Sequence, residues 1–246
     1  FSPVPQMETE EYFQAVAKTH PLLRSITGHM LTVFHGSPST EPIHKFLKEK
    51  IGTTTDVGFL GRGFYFGPHV ARAESYALGV PDSVALAGVL GQIRDQQRRE
   101  SGRDDITIEE AMALSKEHGV DAQDLLQEGQ VVAANLILEN PLVITQEHID
   151  EYENFEQTAF LGLAGEILDP SNPKSFLERY AEVNEESIEE RDLVNEVTDR
   201  LVQAGYDGVI LHPDNTDFRE YVAFNSTSVK STTENVGTYG QRLPTE

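Results

Sequence analysis

The 246-residue sequence predicts a protein of the α+β class. Short apolar runs rich in β-branched residues lie towards both ends of the chain, and long stretches with helical spacing lie between them. Strands and helices do not alternate strictly, which argues against a parallel βαβ sheet and favours α+β. Hydrophobic residues make up 38% of the chain and charged residues 24%, so one large domain or two small ones can bury a sizeable core.

A helix, and then two strands that are each followed by a helix, are predicted in the N-terminal third. Residues 8–28 have apolar positions at helical spacing, and the pattern breaks near Pro21. The apolar run 30–36 and the glycine-flanked run 61–68 are typical of buried strands. The helical patterns that follow these strands occupy residues 42–52 and 69–77.

Most of the remaining chain is predicted to be helical, with three further strands. Helical stretches occupy about 82–128 and 147–200, and Gly205 is a candidate C-cap for the last helix. Residues 147–199 carry sixteen acidic residues against three basic ones, which predicts a solvated helical face or, alternatively, a surface that docks a basic partner. The strands are predicted in 130–138, 206–212 and 219–225.

We expect a single domain over residues 1–232, followed by a polar tail or linker at 233–246. The sequence begins FSPVPQ without Met and ends in a polar segment, which suggests a domain taken from a longer polypeptide. Neither a signal peptide nor a membrane-spanning stretch is predicted, because the most apolar segment, 131–144, is interrupted by Asn, Glu and Pro.

The composition excludes several kinds of chemistry. The chain has no Cys, so disulfides, cysteine zinc ligands and thiolate nucleophiles are excluded. The formal net charge of −22 argues against a protein that binds by neutralising many nucleic-acid phosphates. The eight histidines include no H-E-x-x-H pair, so no catalytic metal is expected.

Two weaker patterns are better explained without a function. The glycine-rich run 58–64 lacks the Lys-Ser/Thr of a phosphate-binding loop and precedes a strand where that loop precedes a helix. Asp214, Asn215 and Asp217 resemble a fragment of a calcium loop but lack its Gly and its distal Glu. A solvated turn is therefore predicted at the second pattern.

Three separate motifs share one explanation. His35 and Gly36 end the first predicted strand. Tyr65 lies in the second strand, and Tyr76 follows eleven residues later in a helix. Glu220 opens the last strand, directly before an apolar run. Each residue alone is typical of a protein core or a strand edge, but the ordered set indicates a functional site.

VFHGS, GRGFYF with its second Tyr, and EYVAF resemble the H-Y-E class of ADP-ribosyltransferases, which includes diphtheria toxin and the poly(ADP-ribose) polymerases. The C-terminal strands and ANLILENPLVI also look like the ADP-ribosyltransferase domains of phage polyvalent proteins and bacterial polymorphic toxins. The resemblance covers roughly 30–77, 130–145 and 205–232, somewhat under half of the chain. It implies two small antiparallel sheets around an NAD cleft, with helical insertions.

The resemblance also implies a role for each matched residue, with NAD⁺ as co-substrate and no metal. Glu220 would hydrogen-bond the nicotinamide ribose and stabilise the positive charge that develops as nicotinamide leaves. Tyr65 and Tyr76 would sandwich the nicotinamide ring. Gly36 would present its backbone to the carboxamide, at a close approach that a side chain would hinder. His35 would hold a hydroxyl of the adenosine-side ribose.

Two positions depart from parts of this family. Ala73 stands eight residues after Tyr65, where poly(ADP-ribose) polymerases typically carry a Ser that bonds the carboxamide. Alanine there resembles the diphtheria-toxin branch and implies a weaker grip on nicotinamide. Phe218 stands two residues before Glu220, where arginine-specific transferases carry Glu or Gln. Arginine modification by that route is therefore disfavoured.

The leading functional hypothesis is a mono-ADP-ribosyltransferase that acts on a macromolecule, with protein favoured over nucleic acid because of the acidic charge. An NAD⁺ glycohydrolase shares the first chemical step, and a non-catalytic NAD-binding or structural module of a larger polypeptide is the third alternative. No membrane partner is expected. If the domain is delivered as part of a phage or toxin polypeptide, it would act in a bacterial or host cytoplasm.

Overall fold

The computed structural model describes most of the chain outside two long segments. The described residues are 10–39, 43, 45–47, 51, 58–77, 129–152, 155–183, 188–215 and 218–232, with the backbone alone at 71, 72, 74, 75, 188 and 189. The predicted helical stretch at about 82–128, the polar tail at 233–246 and most of the predicted helix at 42–52 lie outside them.

The chain divides into two compact units. The first comprises Phe1–His35, Ile43–Val70 and Val132–Glu246, and the second comprises Gly36–Pro42 and Ala71–Val131. The single domain expected over 1–232 stays a prediction.

The observed elements confirm the α+β class. The strands are β1 (Val33–Ser37), β2 (Phe64–Phe66), β3 (Gln130–Leu136), β4 (Leu142–Thr145), β5 (Gly208–His212), β6 (Glu220–Ala223) and β7 (Val229–Ser231). The helices are α1 (Glu10–Lys18), α2 (Val70–Ala77), α3 (Gln146–Glu151), α4 (Glu156–Leu168), α5 (Ser175–Glu182) and α6 (Ile188–Gln203), with short 3₁₀ turns at Pro21–Leu23 and Ser226–Ser228.

The five predicted strands are confirmed, and the separate strands β4 and β7 were not predicted. Gly205 follows α6 with a φ of +94°, a left-handed conformation that confirms the predicted helix end. None of the helices in the described part of the chain is long and apolar enough to cross a membrane.

Two small sheets are present, with strand orders β1-β3-β7 and β2-β6-β5-β4. The pairs β2–β6, β5–β6 and β3–β7 are antiparallel, but β4 and β5 are parallel. The expectation that both sheets are antiparallel throughout is therefore wrong at this pair. The reason is the connection: α3 to α6 lie between the two strands, and a crossover of that length allows a parallel pair.

The four-stranded sheet has a buried face on each side. On one side, residues of both sheets form a common apolar layer, which we call the inter-sheet core. Its main members are Leu23, Val33, Phe64, Phe66, Ala134, Leu136, Leu138, Ile210, Tyr221, Ala223 and Val229. On the other side, strand residues such as Leu211 and Val222 pack with residues of α3 to α6 in a second layer, the helix-side core.

Helix α4 corrects the prediction of a solvated acidic face over 147–199. Its central residues Ala159–Gly165 are all buried, so α4 is part of the helix-side core. The acidic residues of α5 and α6 give the expected solvated face in part, since Glu178, Asp192 and Asp199 are exposed. The segment predicted as an insertion thus supplies the layer that covers one face of the sheet.

Replacement of Gly165 by Ala in α4 should destabilise the fold, because a Cβ there would lie 1.9 Å from the backbone oxygen of Pro173. We expect a loss of about 1–3 kcal/mol in the free energy of unfolding, as for other overpacked positions. Denaturant unfolding measures it. Gly162→Ala is the matched control: it makes the same change in the same helix, but its Cβ meets the Tyr152 ring, a side chain that can move. Equal losses in the two variants would contradict this account.

Candidate functional site

The candidate site is organised around the end of β2, a three-residue strand with neighbours on both sides. On one side Phe66 pairs with Tyr221 of β6, and continuing this register places Gly67 opposite Glu220. On the other side Gly67 exchanges two backbone hydrogen bonds of 2.9 Å with Phe34 of β1. Neighbouring strands lie about 4.8 Å apart, so the backbones of Phe34 and Glu220 are about 10 Å apart across β2.

His35 is held against β2 in one tautomer. Its Nδ1 lies 2.8 Å from the backbone oxygen of Tyr65, and a carbonyl can only accept, so Nδ1 carries the hydrogen. The ring also contacts Phe46 and Phe66, with centroids 5.2 and 5.5 Å away. Burial lowers the pKa of His35, an effect that the Tyr65 hydrogen bond opposes. The neutral ring therefore keeps Nε2 as a hydrogen-bond acceptor.

The ring of Tyr65 is fixed by the turn that precedes β2. Its hydroxyl donates to the backbone oxygen of Gly61 at 2.8 Å and accepts from the N–H of Leu60 at 2.9 Å. The turn needs glycine at Gly58 and Gly61, where φ is +72° and +100°. The glycine-rich run 58–64 therefore forms a turn that holds the hydroxyl group of Tyr65. This structural role agrees with the absence of the Lys-Ser/Thr of a phosphate-binding loop.

The turn before β2 is also hydrogen-bonded to α6. Thr198 Oγ1 accepts the backbone N–H of Arg62 at 2.9 Å and donates to the oxygen of Val194 at 2.8 Å. The guanidinium of Arg62 also forms an ion pair with Asp199. Sequence reasoning missed Thr198, and no motif could have found it, because its partner lies 136 residues away.

Glu220 is the buried carboxyl group of the site, with 5% of its surface exposed. It is the first residue of β6 and pairs with Leu211 of β5. Alternate residues of a strand point to the same face, so Glu220 shares a face with Val222, whose cross-strand partner is Tyr65. Glu220 and Tyr65 are therefore diagonal neighbours on one face, at a typical separation of about 7–8 Å.

The site residues Gly36, Ala73 and Tyr76 belong to the second unit, whereas His35, Tyr65 and Glu220 belong to the first. Tyr76 is 43% exposed and Ala73 is buried. The sandwich of nicotinamide between two tyrosines and the role of Ala73 stay predictions.

Gly36 has a structural reason to be glycine that the sequence analysis did not find. A Cβ at this position would lie 1.8 Å from the backbone oxygen of Ala73 and 2.9 Å from the backbone nitrogen of Ala77, both in α2. The glycine therefore lets α2 pack directly on the end of β1. The contact of Gly36 with a nicotinamide carboxamide stays a prediction. The group that approaches Gly36 closely in the structure is the backbone of α2.

The remaining candidates form no centre of their own. Asp214 and Asn215 are exposed, in keeping with the solvated turn predicted there, and Asp217 lies outside the described residues. The described residues contain no group of three or more His, Asp and Glu side chains that could hold a metal ion. No family model, curated protein or solved structure matches this chain. What the site can do must be inferred from its own chemistry.

Thr198→Val should destabilise the protein, because valine keeps the shape of threonine but leaves the N–H of Arg62 without its acceptor. An unsatisfied buried donor costs about 1–3 kcal/mol, and we expect a loss of that size in the free energy of unfolding. Denaturant unfolding of Thr198→Val and Thr198→Ser tests this, since serine keeps the hydroxyl. A serine variant as unstable as the valine variant would contradict the role given to Oγ1.

His35 should make folding stability depend on pH. Its pKa is lower in the folded than in the unfolded state, so the unfolded chain binds more protons and stability falls as the pH drops below about 6.5. We expect His35→Asn, whose amide can replace the Nδ1 donor, to lose less stability than the wild type between pH 7 and pH 5. Unfolding free energies across this range measure the difference, and parallel curves for the two proteins would refute it.

Proposed function

We propose that this protein is a mono-ADP-ribosyltransferase, which cleaves NAD⁺ at the bond between nicotinamide and ribose and transfers ADP-ribose to a macromolecule. The observation that carries the proposal is that buried Glu220 and Tyr65 are diagonal neighbours on one face of the sheet, beside the strand end where His35 is fixed. The ordered H-Y-E motifs support the same reading.

Glu220 would act on the positive charge that develops on the nicotinamide ribose. Departure of nicotinamide leaves an oxocarbenium-like ribose, and a fixed carboxylate stabilises this charge electrostatically. The carboxyl group of Glu220 is shielded from bulk water, so its interaction with a charge beside it is weakly screened. Tyr65, held at its hydroxyl by the turn before β2, would offer a rigid ring against the leaving group.

His35 would orient the adenosine end of the substrate. Its Nδ1–H is used by the backbone of Tyr65, so Nε2 is the atom that could accept a ribose hydroxyl. Phe66, on which His35 packs, faces the inter-sheet core, whereas Tyr65 packs on the helix-side core. NAD⁺ would therefore lie across the edge of β2, with its nicotinamide end towards Tyr65 and Glu220.

The further roles in this proposal follow the family pattern. Tyr76 would close the second side of the nicotinamide ring, and Gly36 and Ala73 would border the carboxamide. The acceptor would be a protein, because the formal net charge of −22 opposes binding to nucleic acid and mildly favours a basic partner. Action in a bacterial or host cytoplasm after delivery by a phage or toxin polypeptide belongs to the same proposal.

Glu220→Gln should lower the rate of nicotinamide release from NAD⁺ by about 10²–10³-fold or more, the usual effect of removing one group that stabilises the transition state. The assay uses the wild type and the variant, with and without bacterial lysate. Glu147→Gln is the matched control, because it removes the same charge from an exposed position on α3. Circular dichroism checks that each variant is folded.

The products of the same assay separate the alternatives. Labelled macromolecule in the lysate would support the transferase, whereas free ADP-ribose at a rate that ignores the lysate would replace it with an NAD⁺ glycohydrolase. Wild-type protein that binds NAD⁺ without releasing nicotinamide would overturn the enzymatic proposal in favour of a binding or structural module. Equal rates for Glu220→Gln and the wild type would refute the role given to Glu220.

A further inference from the structure

Arg219, the residue before Glu220, carries a charge that the described part of the protein does not neutralise. The residue is only partly exposed, and its Nε is buried with no hydrogen-bond partner among the described residues. No ion pair joins its guanidinium to a carboxylate in the described ranges. Buried polar atoms are nearly always paired, so the unpaired Nε of this partly exposed arginine calls for an explanation.

The position of Arg219 separates it from the proposed cleavage site. Leu211 pairs with Glu220, and continuing that register by one residue places Arg219 opposite His212. His212 in turn pairs with Thr145, the last residue of β4. Thr145, His212 and Arg219 therefore form a row across three strands, at the carboxyl ends of the parallel strands β4 and β5. Because neighbouring residues of a strand face opposite ways, this row lies on the face opposite Glu220.

The positive charge of Arg219 affects the pKa of two neighbouring side chains, His212 and Tyr221. Burial lowers the pKa of His212, and the charge of Arg219 lowers it further, while Asp214 acts in the opposite direction. Burial raises the pKa of Tyr221, and here the charge of Arg219 acts against burial and lowers it. In both cases burial is the larger cause, and the positive charge of Arg219 acts to lower the pKa.

We propose that Arg219 and His212 form a binding site for a phosphate group at the carboxyl ends of β4 and β5. The guanidinium supplies a rigid fork of N–H donors that matches two phosphate oxygens, and its charge needs an anionic partner. His212 supplies a second nitrogen in the same row, which becomes a donor when a phosphate dianion sits beside it. Thr145 ends the row, and its hydroxyl is already hydrogen-bonded to His148 Nδ1 at 3.1 Å, so it is not counted as a ligand.

This site does not depend on the proposed NAD⁺ chemistry, so it can be tested alone. Inorganic phosphate is titrated by calorimetry into the wild type, Arg219→Gln and Arg191→Gln. Arg191 is exposed on α6, so its replacement makes the same change in net charge away from the sheet. We expect Kd for phosphate to rise at least about tenfold in Arg219→Gln, since hydrogen bonds to charged groups are the strong ones, and to stay unchanged in Arg191→Gln.

Arg219→Lys keeps the proposal testable if the glutamine variant does not fold. It retains a point charge but loses the planar fork, so phosphate binding should fall to a value between those of the wild type and a non-binder. No phosphate binding by the folded wild type, or equal Kd values for all variants, would overturn the proposal. Acetate that binds as tightly as phosphate would also overturn it, in favour of a site for carboxylates.

A final arm identifies the source of the phosphate. Binding of AMP and NAD⁺ is compared in the wild type, Arg219→Gln and Glu220→Gln. If Arg219→Gln weakens NAD⁺ and inorganic phosphate by the same factor, the site holds the diphosphate of the dinucleotide. If it weakens phosphate and AMP but not NAD⁺, the site takes a phosphate of another molecule. Glu220→Gln should leave phosphate binding unchanged, so failure of the proposed catalysis and failure of this site give different results.

Discussion

The geometry of the candidate site depends on β2 being held from both sides. Phe66 pairs with Tyr221 of β6 on one side, and Gly67 exchanges two hydrogen bonds with Phe34 of β1 on the other. These contacts place Phe34 of β1 and Tyr221 of β6 on opposite sides of the three-residue strand β2. The bridge at Gly67 adds to the hydrogen bond between His35 and the backbone oxygen of Tyr65, so two successive residues of β1 are held to β2.

Burial on both faces turns that small strand into a rigid support. The inter-sheet core fills one side of the four-stranded sheet, and the helix-side core, with α4 at its centre, fills the other. The helices between β4 and β5 are therefore part of the framework of the site. Thr198 shows the connection most directly, because α6 reaches Tyr65 through the turn at Gly61.

Local patterns in the sequence predicted most of the elements, because the apolar spacing and the turn residues that mark a strand or helix lie within that element. Five strands, α1, α2 and the end of α6 followed from apolar spacing and glycine. The strand β7 did not, since VKS after STS has no apolar run to mark it. Pairings between distant residues were also out of reach: the Thr198–Arg62 bond and the parallel β4–β5 pair have no local signature. The motif at Gly36 gave no sign that this residue is glycine because α2 packs against it.

The pairing of β2 with β6 has a consequence for how the protein is made. The elements from α2 to β5 lie between these two strands, so β2 has no β6 to pair with until all of them have been synthesised. Contacts between such distant segments form late, because the long intervening loop must be closed first. A nascent chain or C-terminally shortened fragment carries His35 and Tyr65 without Glu220. Any activity that needs all three residues therefore begins only after β6 has been synthesised and has paired with β2.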